Sequence, residues 1–327
     1  MSAALVEETG VTSADRLSVT VAQLSFQNPI VLASGTAGYG VELADVMDLD
    51  HIGALTTKAV SVEPRTGNPA PRVAELDEGM INSVGLANPG LERVKSTYVP
   101  WLASHLTHTR KVVNVVGNVV EDYARVVAEL DACADSVGAS AIDAFELNVS
   151  CPNVKAGGLE FGADAEALRT VIRMARAETK RLLFVKLSPT LADIARTAKT
   201  AIDAGADGLT LVNTIPGLAI DVERRRPLLG FGNGGVSGPG LLPVGVLATW
   251  RVSRAVSAPI IGIGGVRSAT DALQYMMAGA SLVGIGTAAM RDPRAPGRIV
   301  NDLDAWCSRH GVRSLAEVVG TLDWKPA

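Results

Sequence analysis

The chain has 327 residues, and its 30 Lys+Arg against 34 Asp+Glu give a formal net charge of −4, which excludes a protein that binds polyanions through bulk charge. With 47% hydrophobic and 20% charged residues it is too apolar for intrinsic disorder and long enough to bury a large core. Only 4% of residues are aromatic while 33 are Gly, so that core must come from Val, Leu, Ile and Ala, with many tight turns or close backbone approaches.

Residues 1–16, MSAALVEETGVTSADR, carry acids, no early basic cluster and no apolar run. They are expected to form a disordered tail, neither a signal peptide nor a membrane anchor. No apolar run approaches the roughly 20 residues that span a bilayer, so a soluble, cytoplasmic protein is expected. LSVTVAQLSF (17–26) then alternates apolar and polar residues, the pattern of a small hairpin. Eight β-rich runs follow: PIVLAS from 29, GALTTK from 53, KVVNVVG from 111, AFELNVS from 144, LLFVKLS from 182, GLTLVNT from 208, PIIGIGG from 259 and LVGIGTA from 282. Helical spacing is clear between them in EDYARVVAELDACADSV, DAEALRTVIRMARAETK, TLADIARTAKTAIDAGA and TDALQYMMAGA, the last two ending at a Gly stop.

Eight βα units make a closed α/β structure, the (β/α)8 TIM barrel, the economical architecture, since closure removes sheet edges and parallel strands need helical crossovers. A doubly wound sheet is the alternative, disfavoured because no GxGxxG opens the first unit. A barrel needs about 250 residues. Most of the surplus falls in two long crossovers, 58–110 and 213–258, and no composition shift marks a second domain. Residues 17–327 are therefore read as one domain, with an N-terminal hairpin and two insertions over the C-terminal mouth.

Chemistry in a barrel sits where strands end. The polar residues there are Ser34, Lys58, Asn114, Asn148, Cys151, Lys186, Asn213 and Thr214. So many amides suit a planar, hydrogen-bonding ligand such as a heterocycle, although any one Asn could simply cap a turn. No cluster of His, Asp or Glu is present to chelate a metal. GIGGV (262–266) and GIGTA (284–288) expose backbone N–H groups where barrels bind phosphate, or else serve as tight turns. Lys58 and Lys186 close strongly apolar runs and could stabilise negative charge on a cofactor, form a Schiff base, or snorkel to the surface. Cys133, Cys151 and Cys307 show no CxxC spacing, which argues against a disulfide framework or structural zinc and for a reducing compartment. Cys133 and Cys307 fall on helical patterns and fit the buried, inert default, whereas Cys151 sits on a constrained loop in NVSCPNVKAGG.

With NPIVLASGTAGYG (28–40), TTKAVSVEPRTGNPAPRVAE (56–75), INSVGLANPGLE (81–92), LNVSCPNVKAGG (147–158), LVNTIPG (211–217), GGVSGP (234–239), GIGGV and GIGTA, the chain resembles the class 1 dihydroorotate dehydrogenases, FMN barrels of pyrimidine biosynthesis. It is most similar to class 1B, the catalytic subunit of the NAD-linked form. The resemblance implies that FMN contacts Ser34, Lys58, Ala59, Asn114, Asn148, Lys186, Val212, Gly238, Gly264, Gly265, Gly286 and Thr287. It implies that the pyrimidine is held by Lys58, Asn82, Ser83, Val84, Gly85, Leu86, Asn148, Asn213 and Thr214. Cys151 would be the base that removes the C5 proton of dihydroorotate, with Lys58 and Lys186 assisting. Serine replaces this cysteine in the membrane-associated class 2 enzymes. FGNGGVSGP departs from the usual lysine- and threonine-containing approach to the GGxSGP motif, leaving the conformation of residues 221–235 open.

Class 1B implies a homodimer, or a heterotetramer with an electron-transfer subunit that carries FAD and an iron–sulfur cluster and reduces NAD. This chain has neither a cysteine cluster nor a dinucleotide fingerprint of its own. Alternatives are a homodimer using fumarate, a flavin barrel acting on uracil-type dihydropyrimidines, a Schiff-base aldolase built on Lys186, and a non-catalytic binding barrel.

Overall fold

A computed structural model describes residues 12–149, 162 and 164–325. Eight parallel strands close into a barrel: β1 (Ile30–Leu32), β2 (Ala54–Thr56), β3 (Arg110–Val115), β4 (Ala144–Asn148), β5 (Leu182–Leu187), β6 (Gly208–Leu211), β7 (Ile260–Ile263) and β8 (Leu282–Ile285). Each pairs with its neighbours in chain order, and β8 returns to β1. Seven lie within the apolar runs seen in the sequence, and β3 starts one residue ahead of its run, at Arg110. The predicted helices form at Val120–Val137, Ala165–Ala177, Ile194–Asp203 and Ala269–Met277. Their starts are set by local chemistry: Asp164 accepts from the N–H groups of Glu166 and Ala167, Asp193 accepts from Arg196, and Ser268 with Asp271 makes a capping box.

Alternation along the strands separates two cores. Outward residues such as Leu55, Val113, Phe145, Val185 and Leu209 pack against the helices. Inward residues Val31, Ala54, Val112, Ala144, Leu182, Phe184, Ile261 and Leu282 fill the barrel together with Val19, Val21 and Phe26. Those last three come from the expected hairpin, Val19–Val21 paired antiparallel with Leu24–Phe26, which plugs the N-terminal end.

Disorder is expected through residue 16, and for residues 12–16 the structure corrects this. Thr12 caps the helix Ser13–Leu17, accepting from Asp15 N at 3.2 Å while the Asp15 carboxylate accepts from Thr12 N at 3.0 Å. Arg16 then pairs with Asp304 at 2.7 Å on the helix Ala295–His310. A local capping box joined to one distant ion pair holds this segment, and composition does not report either. Residues 1–11 lie outside the described residues.

The two insertions meet over the C-terminal mouth. Val73–Leu76 and Gly79–Asn82 of the first join Ile215–Gly217 and Gly234–Ser237 of the second in one four-stranded antiparallel sheet, with Asn82 opposite Gly235. The segment 221–235 contains a two-residue ladder, Ile220–Asp221 with Arg226–Pro227, and then enters this sheet.

Beneath the barrel, the Asp50 carboxylate accepts from the Thr107 hydroxyl at 2.7 Å and from the backbone N–H groups of His108 and Thr109 at 2.8 and 2.9 Å. Partial burial pushes its pKa upward, but the bonds from Thr107, Thr109 and His108 outweigh that and hold it well below the usual carboxylate range. The unfolded chain thus binds the proton first as pH falls. The stabilisation is complete above the ordinary value of 3.8 and is lost as pH drops below it. The urea-midpoint gap between wild type and Asp50→Asn should accordingly be widest near neutrality and shrink at about pH 3, because only the wild type loses this stabilisation; a gap independent of pH would remove Asp50 from the acid response.

Candidate active site

Continuing up each strand by the same period of two, the inward side chains change character. Above the apolar floor come Thr56, Asn114, Glu146, Lys186 and Thr210, all at most 7% exposed. The strand ends then open into a cavity of about 680 Å³ between barrel and cap sheet, within the range that holds a cofactor with its substrate.

Among the expected site residues, Ser34, Lys58, Ala59, Asn148, Lys186, Val212, Gly238, Gly264, Gly265, Gly286 and Thr287 all line this cavity. So do Asn82, Ser83, Val84, Gly85, Leu86, Asn213 and Thr214. Asn114 does not reach the lining and lies fully buried beside Glu146. Cys151, with its loop, lies outside the described residues. Cys133 and Cys307 are free thiols whose pKa values burial pushes upward, that of Cys307 to about 11. That fits the inert role.

The first insertion shapes the segment 82–86. Asn68 donates its side-chain amide to Ser83 Oγ at 2.8 Å and its backbone N–H to Val84 O at 3.1 Å, while Ser83 N donates to Arg72 O at 2.8 Å. The barrel side is equally fixed. Ser34 Oγ donates to Thr57 O at 2.8 Å, Lys58 N to Gly38 O at 2.7 Å, and Asn213 Oδ1 accepts from Thr214 N at 2.8 Å.

At the β7 and β8 ends, Tyr275 Oη donates to Gly264 O at 2.9 Å and pins the glycine loop from behind. Burial pushes the Tyr275 phenol far above its ordinary value, so it remains a donor. Gly265 has φ +76°, and a Cβ there would lie 2.6 Å from Leu242 N. Only glycine fits. Thr287 Oγ1 donates to Ser237 Oγ at 2.8 Å, and Arg291 reaches the carbonyls of Leu76 and Gly79 at 3.1 Å, tying the cap to the last βα unit.

Among the described residues, five cationic side chains, Lys58, Lys186, Arg267, Arg291 and Arg298, line the cavity against the single carboxylate of Asp292. Asp292 is held down to about 2 by the Arg294 backbone N–H and by the Arg298 and Arg294 side chains. The ammonium groups of Lys58 and Lys186 have no hydrogen bond or ion pair among the described residues. An acidic chain has gathered positive charge at one site, which selects an anionic ligand.

A family model described as dihydroorotate dehydrogenase matches residues 16–306. The chain belongs to the dihydroorotate dehydrogenase family. It is 43% identical over 307 residues to a protein from Geobacter sp. named dihydroorotate dehydrogenase B (NAD(+)), catalytic subunit, covering 94% of this chain and 98% of that one. Proteins of the same name from Pelobacter propionicus and Desulforudis audaxviator are 45% and 44% identical, covering 94% and 93% of this chain and 98% and 97% of theirs. A crystal structure of the Eimeria tenella dihydroorotate dehydrogenase with ferulenol superposes with a TM-score of 0.78 at 24% identity, covering 93% of this chain and 88% of that one. At that identity the superposition speaks for the barrel fold.

The family is flavin-dependent, and three features of the site fit a flavin mononucleotide. Lys186 is buried with its ammonium turned to the cavity and without a partner among the described residues, a costly arrangement unless a ligand acceptor meets it. Asn114 Oδ1 is the second, a buried acceptor left without a partner in the layer under the cavity. The third is Gly286, where a Cβ would meet nothing nearer than Thr36 Oγ1 at 3.7 Å and any longer side chain would enter the cavity.

Reading polar strand ends alone does not find Asn68, Ser237, Arg267, Arg291 or Arg298, which also line the cavity, and it passes over Ser188 at the end of LLFVKLS. Ser237 lies within the GGVSGP motif, and the arginines sit on loops and on the last helices, where a charged residue carries no distinguishing signal. Glu146 had one legible sign, an acid inside the apolar strand AFELN. Gly286→Leu should fold normally by circular dichroism yet bind added FMN at least tenfold more weakly by flavin fluorescence; undiminished affinity would place the phosphate elsewhere.

Proposed function

We propose that this chain oxidises dihydroorotate to orotate in de novo pyrimidine synthesis, with FMN held at the β7 and β8 glycine loops. The observation that carries this reading is the pair of unpartnered lysine ammonium groups, Lys58 and Lys186, in a cavity otherwise walled by amides and glycine loops. Asn82, Asn148, Asn213 and Thr214 match the alternating donors and acceptors of a pyrimidine ring, and Lys58 matches the substrate carboxylate. The remaining cations suit a phosphate. FMN bound there supplies a two-electron acceptor for the hydride that leaves C6.

Cys151 is the base that takes the C5 proton, so that the electrons of that bond form the C5–C6 double bond as the hydride departs. Lys186 stabilises the negative charge that accumulates on the ring system at that moment, and the cap sheet excludes water. A partner subunit carrying FAD and an iron–sulfur cluster would supply the route for electrons to NAD, in a heterotetramer built on a homodimer of this chain. Among the described residues no helix is long and apolar enough to cross a membrane, which supports a cytoplasmic complex.

The purified chain should be yellow and should be bleached by dihydroorotate without oxygen, with no NADH formed until the iron–sulfur flavoprotein is added. A colourless protein trapped by borohydride in the presence of an aldehyde or ketone would replace this reading with Schiff-base chemistry. Cys151→Ala should keep its flavin but turn over at least about 100-fold more slowly. Wild-type turnover should climb as pH rises toward the thiol range near about 8.5, where the thiolate base forms. Equal turnover in both proteins would remove Cys151 as the base.

A further inference from the structure

The barrel interior holds one acid that the proposed reaction does not use. Glu146 is 1% exposed, on β4, one inward position below the cavity residue Asn148. Both of its carboxylate oxygens accept: Oε1 from Asn114 Nδ2 at 2.6 Å, across the β3–β4 register, and Oε2 from Thr210 Oγ1 at 2.7 Å on β6, one strand beyond β5. Two donors on two oxygens are what an acceptor-only carboxylate requires. The bond to Asn114 also decides which way that amide faces. With Nδ2 committed to Glu146, Oδ1 must face away from it, and Oδ1 is the buried atom with no partner. A buried acceptor left unmatched is costly, so the orientation of this amide must be imposed by its neighbours. The neighbouring inward lysine, Lys186, is paired in register with Asn148 and Thr210.

We propose that Glu146 is a positioning residue for the flavin, locking the Asn114 amide in the buried layer under the cavity and placing a negative charge in that layer. This rests on the flavin reading above. The two effects separate by substitution. Glu146→Gln keeps an acceptor for Asn114 but removes the charge, so adding electrons to the flavin becomes easier. Thr210→Val keeps the charge but withdraws a hydrogen bond that neutralises it, so adding electrons becomes harder. Glu146→Leu removes both the charge and the acceptor and frees Asn114 to rotate.

The experiment is anaerobic redox titration of the FMN-loaded proteins, with FMN dissociation constants measured by fluorescence and folding checked by circular dichroism. Glu146→Gln should bind FMN within about threefold of wild type and favour the reduced flavin by at least tenfold, about 30 mV for two electrons. Thr210→Val should move the potential in the opposite direction, and Glu146→Leu should weaken FMN binding at least tenfold. A merely structural acid would not produce opposite shifts from two folded variants. Potentials that stay at the wild-type value, or that move together, overturn the proposal while leaving the flavin reading intact. If Glu146→Gln fails to fold, the sign of the Thr210→Val shift decides alone. A wild-type protein that takes up no flavin ends both.

Discussion

A closed barrel must fill its own interior, and everything functional in this molecule follows from how the inward positions are allotted. Eight strands present alternate side chains to the axis, and the chain gives the lower positions to Val, Ala, Leu, Phe and Ile, sealed by Val19, Val21 and Phe26 of the hairpin. One residue pair further along the same strands, the allotment switches to Thr56, Asn114, Glu146, Lys186 and Thr210. Burying polar groups there is possible only because they satisfy one another, as Glu146 does with Asn114 and Thr210, or face the cavity, as Lys186 does. The dry floor and the hydrogen-bonded layer together make a rigid base for the cavity above.

That base needs a roof, and the roof explains the length of the chain. Each insertion contributes two strands to the cap sheet, and a two-stranded ribbon is marginal in water. Joined, Gly79–Asn82 and Gly234–Ser237 share a ladder and form the middle of one sheet. The sheet is anchored at the β8 side by the Thr287 to Ser237 bond and by Arg291 on the Leu76 and Gly79 carbonyls. The strand Ile215–Gly217 begins immediately after Asn213 and Thr214, so a cavity wall and the roof are one continuous stretch of backbone. Roof and floor therefore cannot move far apart without breaking the ladder between the insertions.

The barrel strands were legible because each is a short continuous apolar run punctuated by glycine or a polar residue, with an amphipathic helix following most of them. Site residues at strand ends were legible for the same reason: Lys58, Asn148 and Lys186 interrupt such runs where the cavity opens. The cap sheet was not, since VAEL, GMIN, IPG and GGVS are short, partly glycine, and paired across 153 residues of sequence at Asn82 and Gly235. Helix Leu242–Ser253 escaped notice because LPVGVLATWRVS is nearly uncharged and shows little contrast between its faces. Asn114 was recognised as a polar strand-end residue, but only the three-dimensional register places it beside Glu146 below the cavity surface.

Charge completes the logic. A chain of net charge −4 repels anions on average, yet among the described residues the cavity gathers Lys58, Lys186, Arg267, Arg291 and Arg298 around one acid. Of these, Arg298 is paired with Asp292 at 2.8 Å and Arg267 lies 3.6 Å from Glu78, whereas the two lysines on the barrel side are left for the ligand. Field lines from a low-dielectric cavity are focused through its mouth, so even this small excess is felt by an approaching anion. The site is thus selective before any hydrogen bond forms: anions are drawn in by the lysines, and the amides and glycine loops then discriminate among them by shape and by the placement of donors and acceptors.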